Sequence, residues 1–252
     1  DVIGDVNLKN LNLTKLPLNF NKVTGNFNIS GNKLKTLEGC PSEIGGYFQC
    51  KYNPIRNLDN CPKKVGGGFI LEGTELTTLI GCPKVVYGSF YISSPYLTSL
   101  EGCPEEITGS FYCCRTAITD FKYCPKKVGD IAILSNDLLE NIEDLNIKEV
   151  ESFHCRQNIN LTSLKGCPEI VTGDFSAGFN RLKSIQYFPK FVGRQIDLGG
   201  NKMPEEVYYI FLKKDLIRRV LEVQEDYGVW NADGSLNNGR WDIMLRDLKE
   251  AN

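Results

Sequence analysis

The chain has 252 residues, 41% hydrophobic and 24% charged, the composition of ordinary globular material and not of a disordered chain. Its formal net charge of -2 gives no reason to expect an electrostatic grip on nucleic acid or on an anionic membrane. No apolar run approaches the roughly 18 residues of a membrane-spanning helix, and Asp1-Val2-Ile3-Gly4-Asp5 does not have the pattern of a signal peptide.

Along the chain, Val2, Val6, Leu8 and Leu13 form a shortened opening unit. A second unit starts at Leu16-Pro17-Leu18-Asn19 and carries Val23, Phe27, Ile29, Asn32 and Leu34. A period then becomes explicit: Cys40, Cys61, Cys82, Cys103 and Cys124 recur every 21 residues, each followed by Pro. Cys167-Pro168 and Phe188-Pro189 continue the phase after a degenerate unit with Asn146, Val150, Phe153, Cys155 and Leu161. Apolar residues keep fixed offsets from the Cys, as in Leu58, Val65, Phe69 and Leu76 around Cys61. A repeat of this length predicts a solenoid. Ten rungs fit between Val6 and Leu198.

Within a unit, Phe48 and Cys50 alternate with Tyr47, Gln49 and Lys51, the pattern of a half-buried strand. Pro62 and Gly66-Gly67 block a long helix. One unit cannot fold alone. Four or five buried apolar side chains contribute about 1.5–3 kcal/mol each, against about 1–2 kcal/mol of backbone entropy for every ordered residue. Stacked rungs bury both flanks. The phase slips by one residue mid-array, which predicts Ile131 and Ile133 inward with Ala132 outward.

The cysteines read as packing. Neighbouring rungs lie about 4.8 Å apart, which holds parallel Cβ atoms beyond the roughly 3.8 Å that a disulfide prefers. Cys50, Cys113 and Cys155 are expected inside as small apolar groups. Cys114 points out and is the thiol most open to reaction. This usage favours a reducing, cytoplasmic compartment. The chain has no C-x-x-C and a single histidine, His154, so neither a metal site nor a cofactor is expected.

The segment Phe27-Asn28-Ile29-Ser30-Gly31-Asn32-Lys33-Leu34 resembles the L-x-L-x-x-N-x-L core of leucine-rich repeats. Leu97-Thr98-Ser99-Leu100 is similar to the L-T-S-L of the short bacterial class that includes YopM-like and IpaH-like effectors. Cys-Pro replaces the usual Leu-Pro, as in Gly102-Cys103-Pro104, a variant that also resembles repeat proteins encoded by large tailed phages. The resemblance covers about residues 1–203. It implies an α/β repeat solenoid with parallel strands on a concave face, made of about ten rungs of 21–22 residues, that serves as a protein-binding scaffold. The motif asparagine stands at Asn32, Asn53, Asn158, Asn180 and Asn201 and becomes Thr74, Pro95 and Thr116 between them, which predicts a broken asparagine ladder. IpaH-like effectors add a catalytic domain with an active-site cysteine. Here only about 50 residues follow the repeats and none is Cys, so that activity does not carry over and no enzyme is expected.

Outward strand positions must hold whatever recognises a partner. In rung order the central ones are Asn7, Asn28, Gln49, Ile70, Tyr91, Tyr112, Ala132, His154, Ser176 and Asp197, polar at the ends and aromatic in the middle. Tyr and Arg are enriched where binding energy concentrates. The candidate binding residues are therefore Tyr47, Gln49, Lys51, Ile70, Tyr91, Tyr112, Arg115, His154 and Arg156, with another protein as partner. The competing reading is that these side chains only pair across the sheet. His154 has no evident nucleophile and carboxylate beside it. A structural part of a virion or other assembly, or an effector enzyme with an unrecognised site, are the alternative functions.

Residues 204–252 are expected to form a two-helix cap. Pro204-Glu205-Glu206 opens the first helix. Val207, Ile210, Phe211, Ile217, Val220 and Leu221 form its stripe, and Gly228 ends it. Trp241, Met244 and Leu248 mark the second. Lys213, Lys214, Arg218 and Arg219 offer an alternative reading as a basic interaction stripe. Asn231-Ala232-Asp233-Gly234 fails as a calcium loop, because Val229 and Arg240 would stand at its first and last ligand positions.

Overall fold

The computed structural model describes residues 1–211 and 213–250. It is a parallel β-solenoid of about 9 turns of ~21 residues. Its spine is one 10-stranded sheet running from Val6–Asn7 to Ile196–Asp197, in which each strand pairs in parallel with the next rung's. Shorter strands such as Lys22–Val23, Glu43–Ile44 and Lys64–Val65 line up as a second row along the turns. The alternation sorts as the pattern requires: Phe48 and Cys50 are buried and Gln49 is half-buried between them.

The apolar columns run through the whole array as one core. Phe27, Phe48, Phe69, Phe90 and Phe111 stack ring on ring, with centroids 5.2 to 6.3 Å apart. The slipped rung pairs Phe111 with Ile131, Tyr112 with Ala132 and Cys113 with Ile133, as the shifted phase predicts. All ten cysteines are free thiols, and burial pushes Cys113 and Cys155 up to about 12. Cys114 is half-buried and its thiol is also raised by desolvation, with a backbone hydrogen bond from Leu134 and the charge of Arg115 opposing.

The turn that closes each unit explains its Leu-x-Gly-Cys spelling. The Cys103 N–H donates to the Leu100 carbonyl at 2.8 Å and Gly102 sits at φ 89, the left-handed third position of a type II turn. A second left-handed column follows the strands: Gly31, Tyr52, Gly73, Arg115, Ser135, Gln157, Phe179 and Gly200. The Tyr52 ring lies over Gly73, where an added Cβ would come within 2.5 Å of it, and Phe179 covers Gly200 in the same way.

The polar ladder departs from the sequence expectation. Asn136 and Ser94 are fully buried and fill the gap left by Thr74, Pro95 and Thr116. Asn136 Oδ1 accepts from Thr116 N–H at 2.9 Å and from its hydroxyl at 2.7 Å. Asn158 Oδ1 accepts from Asn136 N–H at 3.0 Å, and Asn180 Oδ1 from Asn158 N–H at 2.8 Å. Ser94 donates to the Leu76 carbonyl at 2.8 Å. Buried backbone groups at the turns are thereby satisfied one rung at a time.

The C-terminal segment carries three helices where the apolar stripe predicts two: α1 (Glu205–Phe211), α2 (Lys214–Val223) and α3 (Asn238–Glu250). Lys213 is extended, at φ -117 and ψ 91, so the stripe is divided between α1 and α2. A continuous 3.6-residue period cannot reveal such a bend, because both pieces face the same core. The cap joins the solenoid through Phe188 and Phe211, with ring centroids 6.0 Å apart. Gln224 adds a buried link: it donates to the Ile185 carbonyl at 3.0 Å and accepts from the Trp230 indole at 2.8 Å. Of the basic stripe, Lys213 and Arg218 are exposed, Arg219 has an interaction of its own, and the Lys214 side chain lies outside the described residues.

Ion pairs bind the outer turns across rungs. Glu105 bridges Lys84 and Lys126 at 3.0 and 2.9 Å, and the two lysines hold its carboxyl at about 2, below the ordinary 4.5. A depressed carboxyl stabilises the fold above its unfolded pKa, and that contribution fades as pH falls toward the folded value. Glu105→Gln is therefore expected to lower the melting temperature slightly at pH 6. The gap to the parent should close between about pH 4.5 and 2 and shrink in high salt. Circular dichroism melts across that range check it.

Candidate protein-binding face

Strand register brings the central outward residues into one row. Gln49, Ile70, Tyr91, Tyr112, Ala132, His154 and Ser176 are successive partners across the sheet. Gln49, Ile70, Tyr91 and Tyr112, all predicted from sequence, are thus adjacent, and His154 joins them across Ala132. Tyr47 stands beside the row, one residue before Phe48, and is 49% exposed. The row is less uniform than its spelling. Ile70 and Ala132 are only 8% and 5% exposed, so both offer little to a partner. Each is flanked in register by longer side chains: Gln49 and Tyr91 for Ile70, Tyr112 and His154 for Ala132.

The row's centre is an aromatic shelf. Tyr91 and Tyr112 stack with centroids 4.0 Å apart and planes within 5°. Burial and a hydrogen bond to Tyr112 push the Tyr91 hydroxyl up to about 12. The shelf forms one wall of a hollow of about 340 Å³, completed by Glu72, Cys114, Arg115, Ser135 and Gln157.

The charges flanking the shelf are mostly spoken for. Lys51 holds Glu72 at 2.9 Å, and the Tyr52 hydroxyl reaches the same carboxylate at 3.3 Å. Arg156 spans to Asp197 at 3.3 Å and lies over the Phe179 ring. Asp130 and Asp174 accept the backbone N–H groups of Ser152 and Gln195 in the following rung, at 2.9 and 3.1 Å. They serve rung stacking. Arg115 is exposed, and among the described residues no carboxylate lies within ion-pair distance of it.

Glu72, Ser135 and Gln157 were not among the sequence candidates. Ser135 and Gln157 occupy the left-handed column after the strands, and the signal that could have found them is their place just before Asn136 and Asn158. Among the described residues, no three His, Cys, Asp or Glu side chains group as a metal site would require. None of the described helices is long and apolar enough to cross a membrane. Comparison with protein-family models, curated proteins and solved structures finds no match to this chain.

Proposed function

We propose that this chain is a non-enzymatic protein-binding scaffold that receives its partner on the outward face of the long sheet, centred on Tyr91 and Tyr112. The observation that carries this reading is the stacked tyrosine pair over a hollow, with Arg115 at its rim. Inward positions are spent on packing, so this is where large side chains with polar tips meet solvent on adjacent rungs. Tyr47, Gln49, Lys51, His154 and Arg156 surround the centre as the contact rim. The repeat is taken as a Cys-Pro variant of the short bacterial leucine-rich class, of the phage-encoded kind, acting on a host protein in the bacterial cytoplasm. The strand-and-asparagine turn supports the class, and ten free thiols suit a reducing compartment.

The test is affinity capture from bacterial lysate, infected and uninfected, with the parent chain and with Tyr91→Ser/Tyr112→Ser. The double variant is expected to weaken capture at least ~30-fold, as for residues at an interface centre. It should leave stability within about 1 kcal/mol per residue, the scale of a cross-strand pair. A partner retained at parental strength by the double variant would overturn the assignment.

A further inference from the structure

We infer that the hollow between the tyrosine shelf and Arg115 is a carboxylate-anchoring pocket, which selects a partner segment bearing an acidic group next to an aromatic or apolar side chain. This rests on the protein-binding reading and specifies the chemistry of its anchor.

Charge placement carries the inference. Along the column beside the shelf, the rungs read Lys51, Glu72, Ser93, Cys114, Leu134 and Arg156. The Lys51–Glu72 pair neutralises the N-terminal side and Arg156–Asp197 the C-terminal side. The rungs between contribute Ser93, Cys114 and Leu134, all without charge. Arg115 is thus a cation with no acid in ion-pair distance among the described residues, beside a wall whose one carboxylate, Glu72, is already held by Lys51. It follows the strand directly at φ 52, and its backbone N–H is bonded to the Leu134 carbonyl at 3.0 Å. The residue is therefore fixed where strand meets turn while the guanidinium is left for solvent.

A planar guanidinium takes a carboxylate in a bidentate fork, and the tyrosine faces beside it suit a flat or apolar neighbour of that carboxylate. A dianion such as phosphate fits less well than a monocarboxylate, because among the described residues Arg115 is the one cation of this wall without a paired acid, and the wall's own acid, Glu72, is already matched by Lys51.

The test uses the full chain, labelled with 15N, and four capped peptides followed by amide chemical shifts. Acetyl-Phe-Asp-amide supplies a side-chain carboxylate and acetyl-Gly-Phe with a free C-terminus supplies a main-chain one. Acetyl-Phe-Asn-amide is the neutral isostere and acetyl-phosphotyrosine-amide the phosphate. At least one carboxylate peptide is expected to bind in the millimolar range and shift the amides of Tyr91, Tyr112, Cys114, Arg115 and Ser135. Which of the two binds identifies the source of the carboxylate. The neutral peptide should bind about tenfold more weakly or worse, as expected when a charged hydrogen bond is lost. Arg115→Gln should cause the same loss, and the fold tolerates glutamine in this column, since Gln157 occupies it at φ 57. Lys9→Gln, at the far end of the sheet, should change nothing.

Binding of the Asn peptide as tight as that of the tighter carboxylate peptide, or parental binding by Arg115→Gln, overturns the carboxylate assignment. So does tighter binding of the phosphotyrosine peptide, or the absence of shifts at these amides with every peptide. The broader protein-binding reading falls separately, if a captured partner ignores the Tyr91→Ser/Tyr112→Ser change.

Discussion

Asn158→Ala is expected to destabilise the protein by about 3–5 kcal/mol, although the substitution is small. Asn158 is fully buried. Its Oδ1 accepts the Asn136 N–H at 3.0 Å, and its Nδ2 donates to the carbonyls of Ile133 and Arg156 at 3.0 and 3.1 Å. Alanine leaves the buried Asn136 N–H without its acceptor, at about 1–3 kcal/mol for an unsatisfied group. It also removes the amide's bonds to the Ile133 and Arg156 carbonyls, of which Arg156 keeps the Ser135 N–H, at about 0.5–1.5 kcal/mol each. Asn158→Asp keeps the acceptor but removes the donor and buries a carboxylate, so it should be at least as damaging. Urea titration by circular dichroism measures both. Hydrogen exchange at the Asn136 amide should accelerate in the alanine variant. A loss under about 1 kcal/mol would show that the ladder is incidental to the fold.

The second large effect belongs to Phe90. It is fully buried between Phe69 and Phe111, at 5.6 and 5.9 Å between ring centroids. Phe90→Ala should cost about 3–5 kcal/mol, the range for emptying a buried aromatic site. A solenoid holds together through nearest-neighbour contacts, so a void at a central rung should also weaken the coupling between its two halves. The parent is expected to unfold in one transition, and Phe90→Ala in two as the halves part. Tyr91→Ser, one residue along the same strand but on the opposite side, should leave a single transition near the parental midpoint. A single transition for Phe90→Ala with the parental slope would mean that rung coupling is not carried by the phenylalanine column.

The contrast between residues 90 and 91 shows what was legible in the sequence. A period of 21 with strand alternation assigns inside and outside, and it did so even at the slipped rung, where Ile131 and Ile133 face in. Three things escaped it. Ser94 and Asn136 were not read as ladder positions, because the slip moves the asparagine one place and Ser94, beside Pro95, serves in place of an amide. Outward position was equated with exposure, but Ile70 is nearly covered because exposure depends on the size of the neighbours in the rungs on either side. The Arg156–Asp197 pair spans two rungs, a separation that a single-unit period does not display. Of the candidate site, the row of residues was readable from phase. The hollow was not, because its far wall comes from turn residues with no shared spelling.

The bulky-over-glycine pairing in the left-handed column has a consequence for how the array could grow or shrink. Asn10 overlies Gly31 as Tyr52 overlies Gly73. Excising the single rung that carries Gly31 would bring Asn10 against the Cβ of Tyr52, with two side chains competing for one space. Removing two rungs would restore Asn10 above a glycine, that of Gly73. In this stretch the pairing repeats as a couplet that only even steps preserve, whereas from Arg115 through Ser135 and Gln157 to Phe179 side chains follow one another on successive rungs and impose no such parity.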